Sequence, residues 1–190
     1  MMWYAGMEGG HALADVLLGR VDAGGRLPFV VPTSADHLPA FDRDATSVVY
    51  DRWFGQRRVA QLGVEPAYPL GFGLSYTTVG MQLVDARRDG EAVVVQARLT
   101  NTGERDGRHV AQVYGLAPSG ERHLLGFAAA AVPAGATVDV SVRATLQPLG
   151  AWDPGTRRVV APAGPVTVEL AAFCGDPAAA SATVGGAGGA

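Results

Sequence analysis

Apolar residues recur at every second position over much of the chain, from Thr77 to Phe173. The clearest run places apolar side chains on one face: Val93, Val95, Ala97 and Leu99. The same spacing returns at residues 138–142 and 166–170. Because successive side chains of a strand point to opposite faces, this period indicates β-strands with one buried face.

Turn-forming residues separate these runs, at Asp89-Gly90 and at residues 101–103, 133–135 and 153–155. Asn101 suits a turn because asparagine tolerates a positive φ. Several short alternating strands over about 100 residues are typical of a fibronectin type III-like or immunoglobulin-like sandwich. Residues 77–173 are therefore predicted to form an antiparallel β-sandwich, and the fold class is mainly β.

The first 32 residues have a different pattern, that of a single βα unit. Leu13, Val16 and Leu17 have the spacing of a one-sided helix over residues 8–18. Gly19 suits the left-handed position after a helix, and residues 27–31 form a short apolar run that predicts a strand. A single unit of this kind cannot cover its own faces, so we expect it to pack against another part of the protein.

Residues 33–76 show no long helical or strand period, and we expect a long connection that wraps over a surface. Its aromatic residues support packing, because a disordered tether would have few of them. Residues 174–190 are rich in alanine and glycine and are predicted to form a flexible tail.

Composition excludes several classes of protein. Of the 190 residues, 48% are hydrophobic and 17% charged, which favours a packed core over disorder. The net charge is −3 and all basic residues are scattered arginines, which disfavours nucleic-acid binding. No apolar run approaches the roughly 20 residues of a membrane span, so we expect a soluble protein without membrane contact. The first residues lack the features of a signal peptide and are interpreted as the end of a strand. We therefore expect the true N-terminus to lie upstream, and no compartment is predicted.

Three stretches, in this order, resemble family 3 glycoside hydrolases. Residues 6–29 (GMEGGHALADVLLGRVDAGGRLPF) are similar to the last βα unit of that family's α/β sandwich domain. Residues 68–77 (YPLGFGLSYT) resemble the segment that leads into its fibronectin type III-like domain. The motifs at residues 101–114, 122–127, 133–135 and 149–153 resemble that domain itself. The resemblance implies that residues 1–32 are a remnant of the α/β sandwich domain.

The resemblance also implies an activity, the hydrolysis of β-glucosides or oligosaccharides with retention of configuration. That chemistry needs two opposed carboxyl groups, a nucleophile and an acid/base. In the family the nucleophile is an Asp on an N-terminal barrel, and the acid/base is a Glu upstream of the segment similar to residues 6–29. No stretch of this chain matches either, so we predict no catalytic residue, no metal and no cofactor here. The missing N-terminal domains are the expected partner, and the chain alone is predicted to be inactive.

Few residues remain as candidates for a functional site. Tyr50, Arg52 and Trp53 are candidates for bordering a sugar subsite, since aromatic faces stack on sugar rings. Packing between domains is the other use of these three residues, and the sequence favours it. Glu8, at a helix start, is a candidate for shaping the site, because the helix dipole stabilises a carboxylate there and disfavours a role as general acid. Cys174 cannot form an internal disulfide and is expected to be a buried thiol.

Two other functions remain open. A non-catalytic fibronectin-like module that binds carbohydrate or protein would explain the sandwich and the aromatic connection, but not the βα unit. Within the same family, a β-xylosidase or α-arabinosidase parent is an alternative, because the residues that choose the sugar lie mostly upstream.

Overall fold

The computed structural model describes residues 1–186, and the predicted mainly β, antiparallel fold is confirmed. One sheet has the strand order β1-β2-β5, and the second has the order β4-β3-β8-β9. Their strands are β1 (Val79–Asp89), β2 (Ala92–Asn101), β3 (Gly107–Leu116), β4 (Arg122–Val132), β5 (Thr137–Thr145), β8 (Val166–Ala171) and β9 (Ala180–Val184). A small hairpin, β6 (Ala151–Asp153) and β7 (Arg158–Val160), lies between β5 and β8. Within residues 1–186 no helix is long and apolar enough to cross a membrane.

The core lies between the two sheets, where the alternating residues meet. The apolar positions of β2 are fully buried, as the period of two predicts: Val93, Val95, Ala97 and Leu99. β8 lies between β3 and β9 in its sheet, and its residue Glu169 is buried and accepts two hydrogen bonds from Arg122. At Gly126 a methyl group would lie 3.0 Å from the Ala144 Cβ atom, so glycine lets β4 approach β5 closely.

The front of the chain contains the predicted helix but not the predicted sheet strands. Helix α1 spans Gly9–Leu17, and Gly19 follows it with a φ of +69°. Residues 27–31 pair with residues 68–72 through a few backbone hydrogen bonds, and only Val31 and Tyr68 form a β-bridge. Residues 1–6 form no strand either. These segments have no neighbouring strands among the described residues, so their apolar character alone does not produce a sheet.

The connection of residues 33–76 has more structure than its sequence predicts. It contains a 3₁₀ turn at Ala35–His37 and a second helix, α2, at Gln56–Leu62. A seven-residue helix spans only about two turns, which is too short for a clear periodic signal.

The prediction of a flexible tail is wrong for part of residues 174–190. Residues 180–184 form β9, which pairs antiparallel with β8 and buries Val184. Ala180, Ala182 and Val184 alternate with Ser181 and Thr183, but small alanines make that alternation a weak signal. Residues 187–190 of the predicted tail lie outside the described residues.

Candidate functional site

The front of the chain is joined to the sandwich by the carboxylate of Asp22. The Tyr76 amide donates to Asp22 Oδ1 at 2.8 Å, and the Ser75 hydroxyl donates to the same oxygen at 2.9 Å. The Arg108 amide, on β3, donates to Asp22 Oδ2 at 3.3 Å. Burial alone raises the pKa of Asp22, but these bonds and one from the Ala23 amide outweigh burial and lower it. Asp22 is therefore a structural anion and is unsuited to act as a general acid.

Helix α1 is also tied to this junction through its last turn. The Tyr76 hydroxyl donates to the Val16 carbonyl oxygen at 2.8 Å. Arg105, in the loop before β3, donates to the Gly19 carbonyl and lies over the Tyr76 ring, 5.5 Å from its centroid. The helix end, the entry to β1 and the β2–β3 loop therefore meet at one place.

A second junction lies at Gly71, where the connection crosses β3. Gln112 donates from Nε2 to the Gly71 carbonyl at 3.0 Å, and the Tyr114 hydroxyl donates to Gln112 Oε1 at 2.6 Å. Gly71 has a φ of +84°, and a Cβ atom there would lie 2.0 Å from Gln112 Oε1. Burial raises the pKa of Tyr114, so this hydroxyl stays protonated. Only glycine fits at residue 71.

Arg52 lies at a third junction, where it meets the β3–β4 hairpin, and Trp53 lies next to it in the connection. Arg52 donates to Glu121 Oε2 at 2.8 Å, and its guanidinium lies 4.6 Å from the centre of the Trp53 ring. Ser119 donates to the same carboxylate oxygen at 3.0 Å. Arg52 thus links the connection to the sandwich.

Two grooves lie beside the ion pair between Arg52 and Glu121. Arg57 and Glu121 line both grooves. The first, here the α2 groove, has a volume of about 430 Å³ and lies between α2, the β3–β4 loop and residues 173–177. Its walls include Gln56, Arg57, Val59, Pro66, Glu121 and Phe173. The second, here the His123 groove, has a volume of about 410 Å³. Burial lowers the pKa of His123, and the positive charge of Arg57 lowers it further.

The structure does not bring the other predicted site residues to these grooves. The side chain of Tyr50 is 69% exposed and packs edge-on against Phe54, with ring centroids 6.3 Å apart. Glu8 is exposed and accepts a hydrogen bond from His11 Nδ1 at 2.8 Å. Tyr50 and Glu8 line neither groove, and their assignments remain predictions.

Sequence reasoning missed Glu121 and Arg57, which line both grooves. Glu121 precedes a recognised motif and gives no sign of burial, since a glutamate in a turn is usually exposed. Arg57 is one of several arginines in the connection. Cys174, by contrast, is buried as expected, and burial raises its pKa to about 11.

Within residues 1–186 no group of three or more His, Cys, Asp or Glu side chains is arranged to hold a metal ion.

Two family models match the chain. Residues 1–76 match the glycosyl hydrolase family 3 C-terminal domain. Residues 109–173 match the fibronectin type III-like domain. The order and places of the two matches agree with the resemblance found in the motifs.

Curated relatives cover most of the chain. A xylan 1,4-β-xylosidase from Xylanibacter ruminicola is 35% identical over 160 residues, which are 81% of this chain and 18% of that protein. A β-glucosidase from Rhizobium radiobacter is 33% identical, and the match covers 90% of this chain and 23% of that protein. The chain thus spans about a fifth of the length of these relatives.

Solved structures give the same result. The β-glucosidase 3B of Thermotoga neapolitana, in complex with α-D-glucose, has a TM-score of 0.83 at 32% identity and covers 97% of this chain. A β-glucosidase from Streptomyces venezuelae, in complex with D-glucose, has a TM-score of 0.85 at 27% identity and covers 98% of this chain. This chain covers 28% and 26% of those two proteins, respectively. The chain therefore belongs to glycoside hydrolase family 3, and it matches the family's C-terminal domain and its fibronectin type III-like domain.

Proposed function

We propose that this chain is the supporting C-terminal part of an enzyme that hydrolyses β-glucosides. The sandwich holds the remnant of the α/β domain in place, and the carboxyl groups that cleave the glycosidic bond lie on the rest of the enzyme. The observation that carries this proposal is the Asp22 junction, which binds Ser75, Tyr76 and the β3 backbone at once. A free binding module has no need for such a junction.

The reaction proposed for the whole enzyme is retaining hydrolysis by two carboxyl groups about 5–5.5 Å apart. The acids of this chain give little support to a catalytic role of their own. Asp22 is held ionised by backbone amides, and Glu8 is exposed beside His11. The chain alone is therefore expected to release no p-nitrophenol from p-nitrophenyl β-D-glucoside.

A chimeric enzyme tests the supporting role. The matching C-terminal part of the Rhizobium radiobacter β-glucosidase is replaced by this chain, and release of p-nitrophenol is measured beside the intact and the truncated enzyme. We expect turnover in the chimera and none in the truncated form. A folded chimera as inactive as the truncated enzyme would contradict the proposal, as would turnover by this chain alone.

The xylosidase relative favours one alternative substrate within the family, a β-xyloside. Assaying the first chimera on p-nitrophenyl β-D-xyloside does not decide between the two sugars, because its upstream part comes from the β-glucosidase. A second chimera joins the upstream part of the xylosidase to this chain. Assaying both chimeras shows whether this chain supports the two activities equally. Equal support would mean that the sugar is chosen upstream.

The second function class, a carbohydrate-binding module, is favoured by one observation. Trp152 lies on the β6–β7 hairpin with its side chain 62% exposed, and it does not fill the end of the sandwich. Such a ring offers a stacking surface for sugars. A polysaccharide pull-down of the chain and its Trp152→Ala and Trp53→Ala variants tests this class, which requires binding that a variant abolishes while the fold survives.

A further inference from the structure

The α2 groove contains buried acceptors that no described residue satisfies. The side chain of Glu121 is only 10% exposed, and its Oε2 atom accepts from Arg52 and Ser119. Its Oε1 atom has no hydrogen-bond partner within residues 1–186. Gln56 Oε1, on the same groove, is likewise buried without a partner. Buried acceptors are destabilising when unpaired, so two of them beside one cavity point to a ligand that donates hydrogen bonds.

The arginines of the groove differ in whether they are already paired. Arg122 binds both carboxylate oxygens of Glu169, at 2.7 and 3.2 Å, and Arg52 binds Glu121. Arg57 makes no salt bridge or side-chain hydrogen bond with the described part of the chain. One guanidinium donor therefore stands free beside the two acceptors.

This combination selects the chemical class of the ligand. An anion attracted by Arg57 would also face the Glu121 carboxylate, and a cation would face Arg57 and Arg122, so charged ligands are disfavoured. A hydroxyl group both donates and accepts, and it can satisfy Glu121 and Arg57 together. Glu65 adds a second carboxylate to the wall, and the apolar part of the wall, which includes Val59, Pro66 and Phe173, suits the C–H face of a sugar ring. The volume of about 430 Å³ is that of a small-molecule site.

We propose that the α2 groove binds a neutral sugar, whose hydroxyl groups donate to Glu121 Oε1 and accept from Arg57. Because Oε1 is closed to solvent in the described conformation, binding includes a movement of the side chains that cover it. The proposal rests on the proposed glycosidase function only in its choice of sugars as probes.

Nuclear magnetic resonance of the ¹⁵N-labelled full chain tests the proposal with cellobiose. We expect millimolar cellobiose to shift the amide signals of residues 119–122 and 173–175 along saturable curves. Arg57→Ala should weaken binding about tenfold or more, because a hydrogen bond to a charged group contributes about 1.5–3 kcal/mol. Glu121→Gln should weaken it as well. Arg98→Ala and Glu104→Gln, on exposed positions outside the groove, should bind as the unchanged chain does.

Thermal unfolding of each variant shows whether its fold is intact. If Glu121→Gln is unstable, Arg57→Ala alone tests the proposal, because Arg57 has no ion pair to lose. Absence of saturable shifts, or unchanged binding by a folded Arg57→Ala variant, overturns the proposal. So does stronger binding of inorganic phosphate than of cellobiose at the same amides. The chimera assay measures the supporting role separately, so failure of groove binding leaves that result standing.

Discussion

At the scale of single residues, Asn101 has a different role from the one its sequence suggests. It is 1% exposed at the end of β2 and is not at a positive φ. Its Nδ2 atom donates to the carbonyls of Arg105 and Val132, and its Oδ1 atom accepts from the Thr77 hydroxyl and the Gly103 amide. One side chain therefore fixes the start of β1, the β2–β3 loop and the end of β4.

Replacing Asn101 with alanine is expected to destabilise the sandwich by about 2–4 kcal/mol. The change leaves several buried donors and acceptors without partners, each worth about 1–3 kcal/mol with partial relief by water. Urea unfolding followed by fluorescence measures the loss. Thr102→Ala, at the exposed neighbouring position, is the control and should change stability little. An Asn101→Ala variant as stable as the control would contradict this account.

Asp22 leads to a prediction about pH. Its pKa is lower in the folded chain than in the unfolded chain, so its contribution to stability is present above about pH 4, the ordinary pKa of an aspartate. That contribution is lost as pH falls through the folded pKa. The difference in unfolding free energy between the chain and Asp22→Asn should be constant from pH 5 to 7 and shrink toward pH 3. Asp106→Asn is the control variant, because the Asp106 carboxylate accepts a single backbone hydrogen bond, from the Ala134 amide.

At the scale of elements, the sequence predicts those parts whose neighbours lie within the chain. The β2 residues alternate, and both neighbouring strands are present, so prediction and structure agree. Residues 27–31 are equally apolar, but they find only residues 68–72 as a partner. Arg52 lines the His123 groove, and Glu121, 69 residues further along the chain, joins it only through the fold. No local pattern contains such a contact.

The last strand gives a prediction at this scale. Val184 is 2% exposed and packs in the core, so Val184→Ala is expected to destabilise the fold by about 1–2 kcal/mol. Ser181→Ala, on the exposed face of β9, should have little effect. Both are measured by thermal unfolding. If the two variants were equally stable, the result would contradict the structural role of β9 and support the flexible tail that the sequence predicts.

At the scale of the whole molecule, the apolar surface of the front is the main feature. Leu17 and Leu18 at the end of α1 are 68% and 67% exposed, and Trp3, Tyr4 and Met7 are exposed nearby in the sequence. Exposed apolar patches of this kind usually lie at interfaces.

Self-association of the isolated chain follows from that surface. We expect light scattering to detect oligomers at micromolar concentration, and the double change Leu17→Ser and Leu18→Ser to reduce them. The unfolding temperature of the sandwich should stay the same, because neither leucine belongs to its core. Replacing the exposed Val159 and Val160 of the hairpin by serine is the matched control. A larger effect of that control would place the contact surface on the hairpin.

The junction at Asp22 has a practical consequence for anyone who divides this protein. The first family match ends at residue 76, yet the Tyr76 amide and hydroxyl both bind the front of the chain. An expression clone started at residue 77 would keep every strand of the sandwich but lose the carboxylate that receives the Arg108 amide. The sandwich should therefore be excised with residues 20–26 still attached.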